Sequence, residues 1–219
     1  MLRLLFEKTG DSVWISHLDL MRVFQRAFRR AGLHLKHSQG FNPRAIVSIA
    51  LPLSVGVDSC CELLDFELDG DQVPVEDIAA RLNEKLPAGI RVLEAYEAVR
   101  KIKELTDLQA TVTLEYDNGV PETAVEEIKA LFRRDTLILK KHSRKGEVET
   151  DILPLLKYLE VTKIDDNSLS LRLMAAAQNP SLNPQLLVTA IELYLPEMAP
   201  VFSRCSRLEI FDAAGLVFR

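Results

Sequence analysis

A segment near the start of the chain has the two-sided pattern of an amphipathic helix, which has to pack against other elements. Its apolar side chains recur at helical spacing, at Leu20, Phe24, Ala27, Phe28 and Ala31. Another face of the same helix, called here the arginine stripe, carries Arg22, Arg26, Arg29 and Arg30. Ser16 is suited to cap the helix at its start, and Gly32 is suited to end it. The segment therefore predicts a surface helix with one buried face and one basic face.

Strand-like segments surround this helix and give the first half of the chain an alternating order. Strands are predicted at residues 2–7, 33–36, 45–51, 60–68 and 90–99, and a second helix at residues 74–86. The run AIVSIAL is apolar and β-branched, which is typical of a buried strand. The resulting order corresponds to the ferredoxin-like βαββαβ plan with one added strand.

A similar order starts again in the second half of the chain. Strands are predicted at residues 108–116, 136–141, 159–163, 168–174, 208–212 and 216–218, with helices at 121–132 and 184–194. We therefore predict an α+β protein of two tandem ferredoxin-like units with antiparallel sheets. Residues 1–103 would form the unit that carries the basic helix, and residues 104–219 would form the second unit. The alternative is a single continuous α+β domain.

Composition places the chain among globular proteins. A length of 219 residues suits one large domain or two of about 100 residues each. The hydrophobic fraction of 47% and the charged fraction of 27% are typical of a water-soluble protein with a buried core. The chain lacks an apolar run of about 18 residues, and its first residues lack the pattern of a signal peptide. We therefore expect a cytoplasmic protein without a membrane span.

Charge is distributed unevenly along the chain. The net charge is −5, yet residues 1–50 contain eight Lys and Arg against three Asp and Glu and are therefore net +5. The remaining residues are correspondingly acidic, at −10. A basic segment in an acidic protein is typical of a nucleic-acid surface, although arginines also cover apolar surface on ordinary helices.

A polar loop after the helix contains several groups that are suited to nucleic acids. It reads HSQGFNPR, from His37 to Arg44. Phe41 is suited to stack on a base, and Arg44 to pair with a phosphate. The alternative is a plain connection in which Phe41 fills the core while Gln39 and Asn42 bond the local backbone. The stripe and the loop give the predicted nucleic-acid-binding residues: Arg22, Arg26, Arg29, Arg30, Lys36, Gln39, Phe41, Asn42 and Arg44.

Two further charged groups have structural as well as functional interpretations. A second basic cluster consists of Arg133, Arg134, Lys140, Lys141, Arg144 and Lys145. It would lengthen a phosphate-binding surface if it lay beside the arginine stripe, although cations near a helix end are favourable without a ligand. Asp65 and Glu67 lie two apart on a predicted strand and share a face. We expect them to form ion pairs with the arginine stripe in preference to catalysis.

Residue types that support catalysis or metal binding are sparse. The four histidines form no HxH or HxxxH pair and the three cysteines form no CxxC, so we predict no metal site and no cofactor. His17 and His37 are candidates for acid–base chemistry, and His17 lies near Asp19 in the sequence. The alternative for His17 is a hydrogen-bonded packing residue at the start of the helix. Cys60, Cys61 and Cys205 are expected to be core or half-buried thiols.

Three segments of the first third of the chain resemble a known family. They are SHLDLMRVFQRAFRRAGL at 16–33, HSQGFNPRAIVSIALPLSVGVDS at 37–59 and ELLDFEL at 62–68. They are similar to the radical-SAM-associated domain of unknown function, an accessory domain fused to or encoded beside B12-binding-type radical SAM proteins in bacteria. The resemblance implies a radical SAM protein as partner, and RNA or a ribosomal component as substrate. The chain itself lacks the CxxxCxxC motif that holds the cluster of a radical SAM enzyme.

These observations lead to one function and two alternatives. The leading hypothesis is a radical-SAM-associated accessory protein that binds RNA or presents a substrate to its partner. One alternative is an RNA-processing enzyme of ferredoxin-like fold, with His17 or His37 as the catalytic group. The other is a protein–protein adaptor whose arginine stripe docks an acidic partner. Fold analogy alone does not choose among them.

Overall fold

The computed structural model describes residues 1–70, 73–143 and 146–219. This part of the chain contains four α-helices and ten β-strands. Seven pairs of these strands are antiparallel. The predicted α+β class is therefore confirmed. The chain divides into two compact units, Met1–Glu104 with Phe218–Arg219, and Leu105–Val217.

The first unit is a four-stranded sheet with two helices. Its elements are β1 (Leu2–Lys8), α1 (His17–Arg30), β2 (Val47–Ile49), β3 (Val57–Phe66), α2 (Val75–Asn83) and β4 (Ile90–Glu97). The strands lie in the order β4-β1-β3-β2. The predicted strand at 33–36 was wrong, because only isolated bridges from Leu35 to Leu68 and from His37 to Ala45 form there. Leu33 and Leu35 nevertheless point into the core.

The apolar face of α1 is buried against this sheet, as its spacing predicts. Leu20, Phe24, Ala27 and Phe28 are all buried. The ring of Phe24 meets Phe6 of β1 and that of Phe28 meets Phe66 of β3, each at 4.8 Å between ring centroids. The Ser16 hydroxyl accepts a hydrogen bond from the backbone N–H of Asp19 at 3.2 Å, which confirms the predicted cap.

A buried ion pair lies on the other face of β1. Arg3 is 1% exposed and donates from Nε and Nη2 to Asp65 at 2.6 and 3.0 Å. Burial opposes the charge on Arg3, but hydrogen bonding and attraction to Asp65 outweigh it and raise the pKa of the guanidinium. The ring of Phe218 is fully buried beside it, with its centroid 5.4 Å from Arg3 and 4.6 Å from Arg100. Phe218 therefore packs on the first unit.

The second unit repeats the strand order of the first. Its elements are β5 (Leu105–Glu115), α3 (Ala124–Leu131), β6 (Ile138–Ser143), β7 (Gly146–Asp151), β8 (Leu156–Lys163), β9 (Ser168–Ala176), α4 (Gln185–Tyr194) and β10 (Phe202–Asp212). Within this unit the strands run β10-β5-β9-β8, and β6 and β7 pair separately. The predicted strands at 208–212 and 216–218 were wrong in extent, since β10 is one strand of eleven residues and Val217 makes only a bridge.

Tyr116 provides a pH-dependent probe of the second unit. Its hydroxyl donates to the carbonyl of Met198 at 3.0 Å, and burial raises the pKa of Tyr116 from 10.0 to about 12. Because the folded state keeps a proton that the unfolded state releases, this contribution to stability is complete below pH 10.0 and is lost as the pH rises through about 12. Tyr116→Phe should remove the phenolate absorbance step near pH 12, and Tyr158→Phe, at an exposed position, should leave it. Burial also raises the pKa of Tyr96, so the result that would contradict this assignment is a step near pH 12 whose amplitude is undiminished in Tyr116→Phe.

Candidate nucleic-acid interface

The four residues of the arginine stripe are exposed on α1, but they differ in what they contact. Arg22 pairs with Asp19 at 2.7 Å between Nη1 and Oδ1. Hydrogen bonds from Ser16 and from Arg22 lower the pKa of Asp19. Arg30 donates from Nη2 to the backbone carbonyl of Lys85 at 2.5 Å. These two arginines are thus partly engaged within the protein.

Arg26 and Arg29 are the unengaged half of the stripe. Over residues 1–70, 73–143 and 146–219, neither side chain makes an ion pair or a hydrogen bond. Both lie past the first turn of α1, beyond Asp19, which is the acidic residue of that turn. The two guanidinium groups therefore keep all their donors available to a ligand.

A groove of about 570 Å³ runs beside Arg26 and Arg29. Phe28, Leu33, Leu35 and Ala45 give it an apolar floor. Its polar lining consists of Gln25, Arg26, Arg29, His34, His37 and Asp69. A second depression of about 350 Å³ borders the other side of Arg26 and is also lined by Arg30. Arg26 thus stands between two concave surfaces, with a further arginine on each side.

The loop from His37 to Arg44 rises from the edge of this groove. His37 and Ala45 form a bridge at its base. The N–H of Ser38 donates to the carbonyl of Arg44 at 2.8 Å, and the N–H of Arg44 donates to the Ser38 hydroxyl at 3.1 Å. Phe41 is completely exposed at the tip. The alternative in which Phe41 fills the core was therefore wrong, because the closed base directs the tip into solvent.

The structure brings together only part of the predicted nucleic-acid-binding set. Arg26 and Arg29 share one groove with His37. Gln39, Phe41, Asn42 and Arg44 are exposed on the loop. Lys36 pairs with Glu67 at 2.9 Å, a contact that raises the pKa of Lys36 and lowers that of Glu67. The assignment of these residues to nucleic-acid binding stays a prediction.

The expected ion pairs between the arginine stripe and the acids of β3 were wrong. Asp65 pairs with Arg3, and Glu67 pairs with Lys36. The reason is the strand register, which places Arg3 directly opposite Asp65 on neighbouring strands. The stripe consequently receives no counter-charge from these two acids.

The two histidines that sequence reasoning singled out occupy different places. His17 is the first residue of α1 and is half-buried. His37 is exposed and lines the groove. Their catalytic role stays a prediction. Among the residues that the structure describes, no group of three or more His, Cys, Asp or Glu is arranged to hold a metal ion.

The second basic cluster is only partly described. Arg133 and Arg134 follow α3, and the guanidinium of Arg134 lies over the ring of Tyr194 at 5.6 Å. Lys140 is exposed on β6. Arg144, Lys145 and the side chain of Lys141 lie outside the described residues. The cluster therefore adds one stacked arginine to the second unit, and its ligand-binding role stays a prediction.

Sequence reasoning missed the floor of the groove. Buried and exposed residues alternate from 33 to 36: Leu33 and Leu35 are buried, and His34 and Lys36 are exposed. This alternation predicts a strand, but Leu33 and Leu35 instead join the core cluster that contains the buried face of α1. Of the two exposed residues, His34 lines the groove with Arg26 and Arg29, a position that the alternation by itself does not indicate.

The fold and the groove define a class of protein, namely an α+β protein with a basic, apolar-floored groove and an exposed aromatic loop in its first unit. The sequence profile of a bacterial family matches residues 1–184, which is most of the chain. The chain belongs to this family, described as "Uncharacterized protein conserved in bacteria (DUF2344)". No curated protein matches the sequence.

Chains of two solved complexes align with most of this chain. A chain of the Cbf5-Nop10-Gar1 complex is 11% identical with a TM-score of 0.50, and the alignment covers 95% of this chain and 48% of that one. A chain of the archaeal box H/ACA sRNP Nop10-Cbf5 complex is 11% identical with a TM-score of 0.45, covering 94% and 46%. The protein thus spans about half the length of these chains. At this identity the likeness concerns the fold alone.

No helix in the described ranges is long and apolar enough to cross a bilayer.

Proposed function

We propose that the protein is an RNA-binding accessory protein that works beside a radical SAM enzyme. The observation that carries the RNA-binding part is the pair of exposed, unengaged arginines, Arg26 and Arg29, at the edge of an apolar-floored groove. Both guanidinium groups offer several donors in a planar fork, which matches the geometry of phosphate oxygens.

The contrast within the arginine stripe supports this proposal. Arg22 contacts the carboxylate of Asp19, and Arg30 contacts the backbone carbonyl of Lys85. Arg26 and Arg29 have no such contact within the described residues. Water ordinarily solvates the head of an exposed arginine, so the support comes from the position of Arg26 and Arg29 at one groove. Two guanidinium groups at one groove suit a nucleic-acid backbone, which presents phosphates in series.

The radical SAM partner is proposed on the resemblance of residues 16–33, 37–59 and 62–68 alone. The first two segments contain α1 and the loop, and seven of the ten residues that line the groove lie in them. Affinity purification of the chain from a bacterium that encodes it, followed by mass spectrometry, tests the partnership. Recovery of no radical SAM protein above the background of an untagged control would contradict it.

We also propose that both units are ferredoxin-like domains, at residues 1–103 and 104–219. The support is the strand order, which is β4-β1-β3-β2 in the first unit and β10-β5-β9-β8 in the second. In each order the first and third strands of the unit are neighbours, and the fourth and second strands flank them. Each unit also has its two helices in the crossover positions, α1 and α2 in one and α3 and α4 in the other.

The double charge reversal Arg26→Glu/Arg29→Glu tests RNA binding. At low salt we expect affinity for RNA to fall by at least about tenfold, because a hydrogen bond to a charged group contributes about 1.5–3 kcal/mol. The slope of log affinity against log salt should also decrease by about two, one for each lost phosphate contact. Both side chains are exposed, so each change should alter stability by less than about 0.5 kcal/mol. Filter binding over a salt series measures affinity and slope.

Arg81→Glu/Arg91→Glu is the matched control. Both residues are exposed in the same unit, and the variant has the same net charge as the test variant. If the two variants lose the same affinity for RNA relative to the wild type, the loss reflects the change in net charge, and the groove is not the binding site. If both bind as tightly as the wild type at every salt concentration, RNA is bound elsewhere on the protein. Failure of the wild type to bind RNA would contradict the RNA-binding proposal itself.

A second candidate function is RNA cleavage at His37. One observation favours it: His37 lines the same groove as Arg26 and Arg29, so a bound phosphate would lie near an imidazole. Incubation of the protein with labelled RNA, analysed on a denaturing gel, tests it. Cleavage by the wild type that is lost in His37→Ala would support this candidate, and intact RNA after long incubation would exclude it.

A further inference from the structure

We infer that the RNA recognised at this groove is single-stranded, and that Phe41 holds it by stacking on an unpaired base. This inference rests on the proposed RNA-binding function and adds the class of RNA. It combines three features of the first unit: an aromatic ring in solvent, a closed loop that presents it, and an apolar-floored groove with unpaired arginines at its edge.

The ring of Phe41 is exposed to solvent. Its side chain is fully exposed, whereas Phe6, Phe24, Phe28 and Phe66 of the same unit are fully buried. Removing an aromatic ring from water is favourable, so a ring kept at a loop tip is available to a partner. Phenylalanine has no polar atom that water could satisfy, unlike tyrosine or tryptophan.

The loop that carries Phe41 is closed at its base. Two hydrogen bonds between Ser38 and Arg44 close the base of the loop, and the bridge from His37 to Ala45 anchors it on the unit. Gly40, just before the ring, has a positive φ of 132° that side chains rarely adopt. Pro43 restricts the backbone after it. Because the loop is held at both ends, stacking costs less conformational freedom than it would on an open loop.

The base of the loop is part of the groove. His37 and Ala45, which close the loop, also line the groove. Phe41 is four positions after His37, so their Cα atoms are at most about 14 Å apart. A strand whose phosphates meet Arg26 and Arg29 would therefore have its next bases within reach of Phe41.

These features together favour a single strand over a duplex. In an A-form helix the base faces are stacked on one another and side chains cannot enter the narrow major groove. Phe41 would then have no base to stack on. In a single strand, an unpaired base can stack on Phe41 while the phosphates stay at the edge of the groove that Arg26 and Arg29 line.

The experiment compares one RNA sequence in two forms. Fluorescence polarisation measures the affinity of the full chain for a labelled single strand of about 12 nucleotides and for the same strand annealed to its complement. We expect the wild type to bind the single strand more tightly. Phe41→Ala should lose about 5- to 150-fold in single-strand affinity, since one stacked base contributes that factor, and it should bind the duplex like the wild type.

Phe41→Tyr is the conservative control, because it keeps the ring and should keep single-strand affinity within about twofold. A single strand with 2-aminopurine at successive positions gives an independent readout, since stacking quenches its fluorescence. Quenching at one position by the wild type and by Phe41→Tyr, but not by Phe41→Ala, is the expected result. Phe41 is fully exposed, so unchanged circular dichroism should accompany every variant.

Several outcomes would overturn the inference while leaving the proposed function in place. Equal affinity of the wild type for the strand and the duplex is one, and unchanged single-strand affinity in Phe41→Ala is another. Failure of the wild type to bind either RNA would instead contradict RNA binding itself. A wild type that binds polyglutamate tightly but binds no RNA, and that loses this binding in Phe41→Ala, would assign the same surface to an acidic protein partner. That result would overturn both the single-strand inference and the RNA-binding proposal.

Discussion

Phe24→Ala is expected to lower the free energy of unfolding by about 3–5 kcal/mol, which is a large part of the 5–15 kcal/mol typical of a domain. Phe24 is fully buried and its ring lies edge-on against Phe6 at 4.8 Å. Truncation removes this aromatic contact and leaves a cavity between α1 and the sheet. Urea denaturation followed by circular dichroism measures the loss.

Leu18→Ala is the matched control for this prediction. Leu18 is on the same helix and is 67% exposed, so its truncation should change the free energy of unfolding by less than about 0.5 kcal/mol. A loss below about 1 kcal/mol in Phe24→Ala would mean that α1 is not anchored by this face. The basic groove would then lack the rigid support on which the proposed function depends.

Asp65→Ala is expected to destabilise the protein by about 3–5 kcal/mol, because it leaves the buried guanidinium of Arg3 without its counter-charge. Arg3 is 1% exposed and Asp65 is 15% exposed, so water cannot readily replace the lost carboxylate. The Nη1 atom of Arg3 is already buried without a hydrogen-bond partner in the described structure. Chemical denaturation at neutral pH measures the effect.

The double variant Arg3→Met/Asp65→Leu separates the cost of an orphaned charge from the contribution of the pair. Replacing both ions by apolar side chains removes the buried charge altogether, so the double variant should be more stable than Asp65→Ala. If the double variant is the less stable of the two, the two residues contribute through packing and the ion-pair account is wrong.

Features that depend on neighbours in the sequence could be predicted well. The buried face of α1 follows from the spacing of Leu20, Phe24 and Phe28, and its start follows from Ser16. The cap depends on residues less than one helical turn apart, and the buried face on residues about two turns apart. Over such short separations the geometry of the helix decides which side chains meet. The extent of β10 was harder, because its first half, FSRCSR, is polar and half-exposed and lacks the apolar run of a buried strand.

Features that depend on tertiary contacts could not be predicted. The partners of Asp65 and Glu67 are set by the pairing of distant strands and by the path of the chain past Lys36. The groove likewise depends on tertiary contacts, because its lining combines residues of α1 with residues 33–45 and Asp69. The sequence supplied the arginines and the aromatic loop, and the structure added which arginines are unpaired and what surrounds them.

The position of Phe218 bears on how the first unit is made in the cell. Translation produces Arg3 and Arg100 early, but the ring that packs on both comes only after the whole of Leu105–Val217 has been synthesised. Nascent domains generally fold in order of synthesis. The first unit therefore emerges from the ribosome with Arg3 uncovered, and its last packing step follows translation of the second unit. Any partner that captures the nascent chain meets a first unit that is still incomplete.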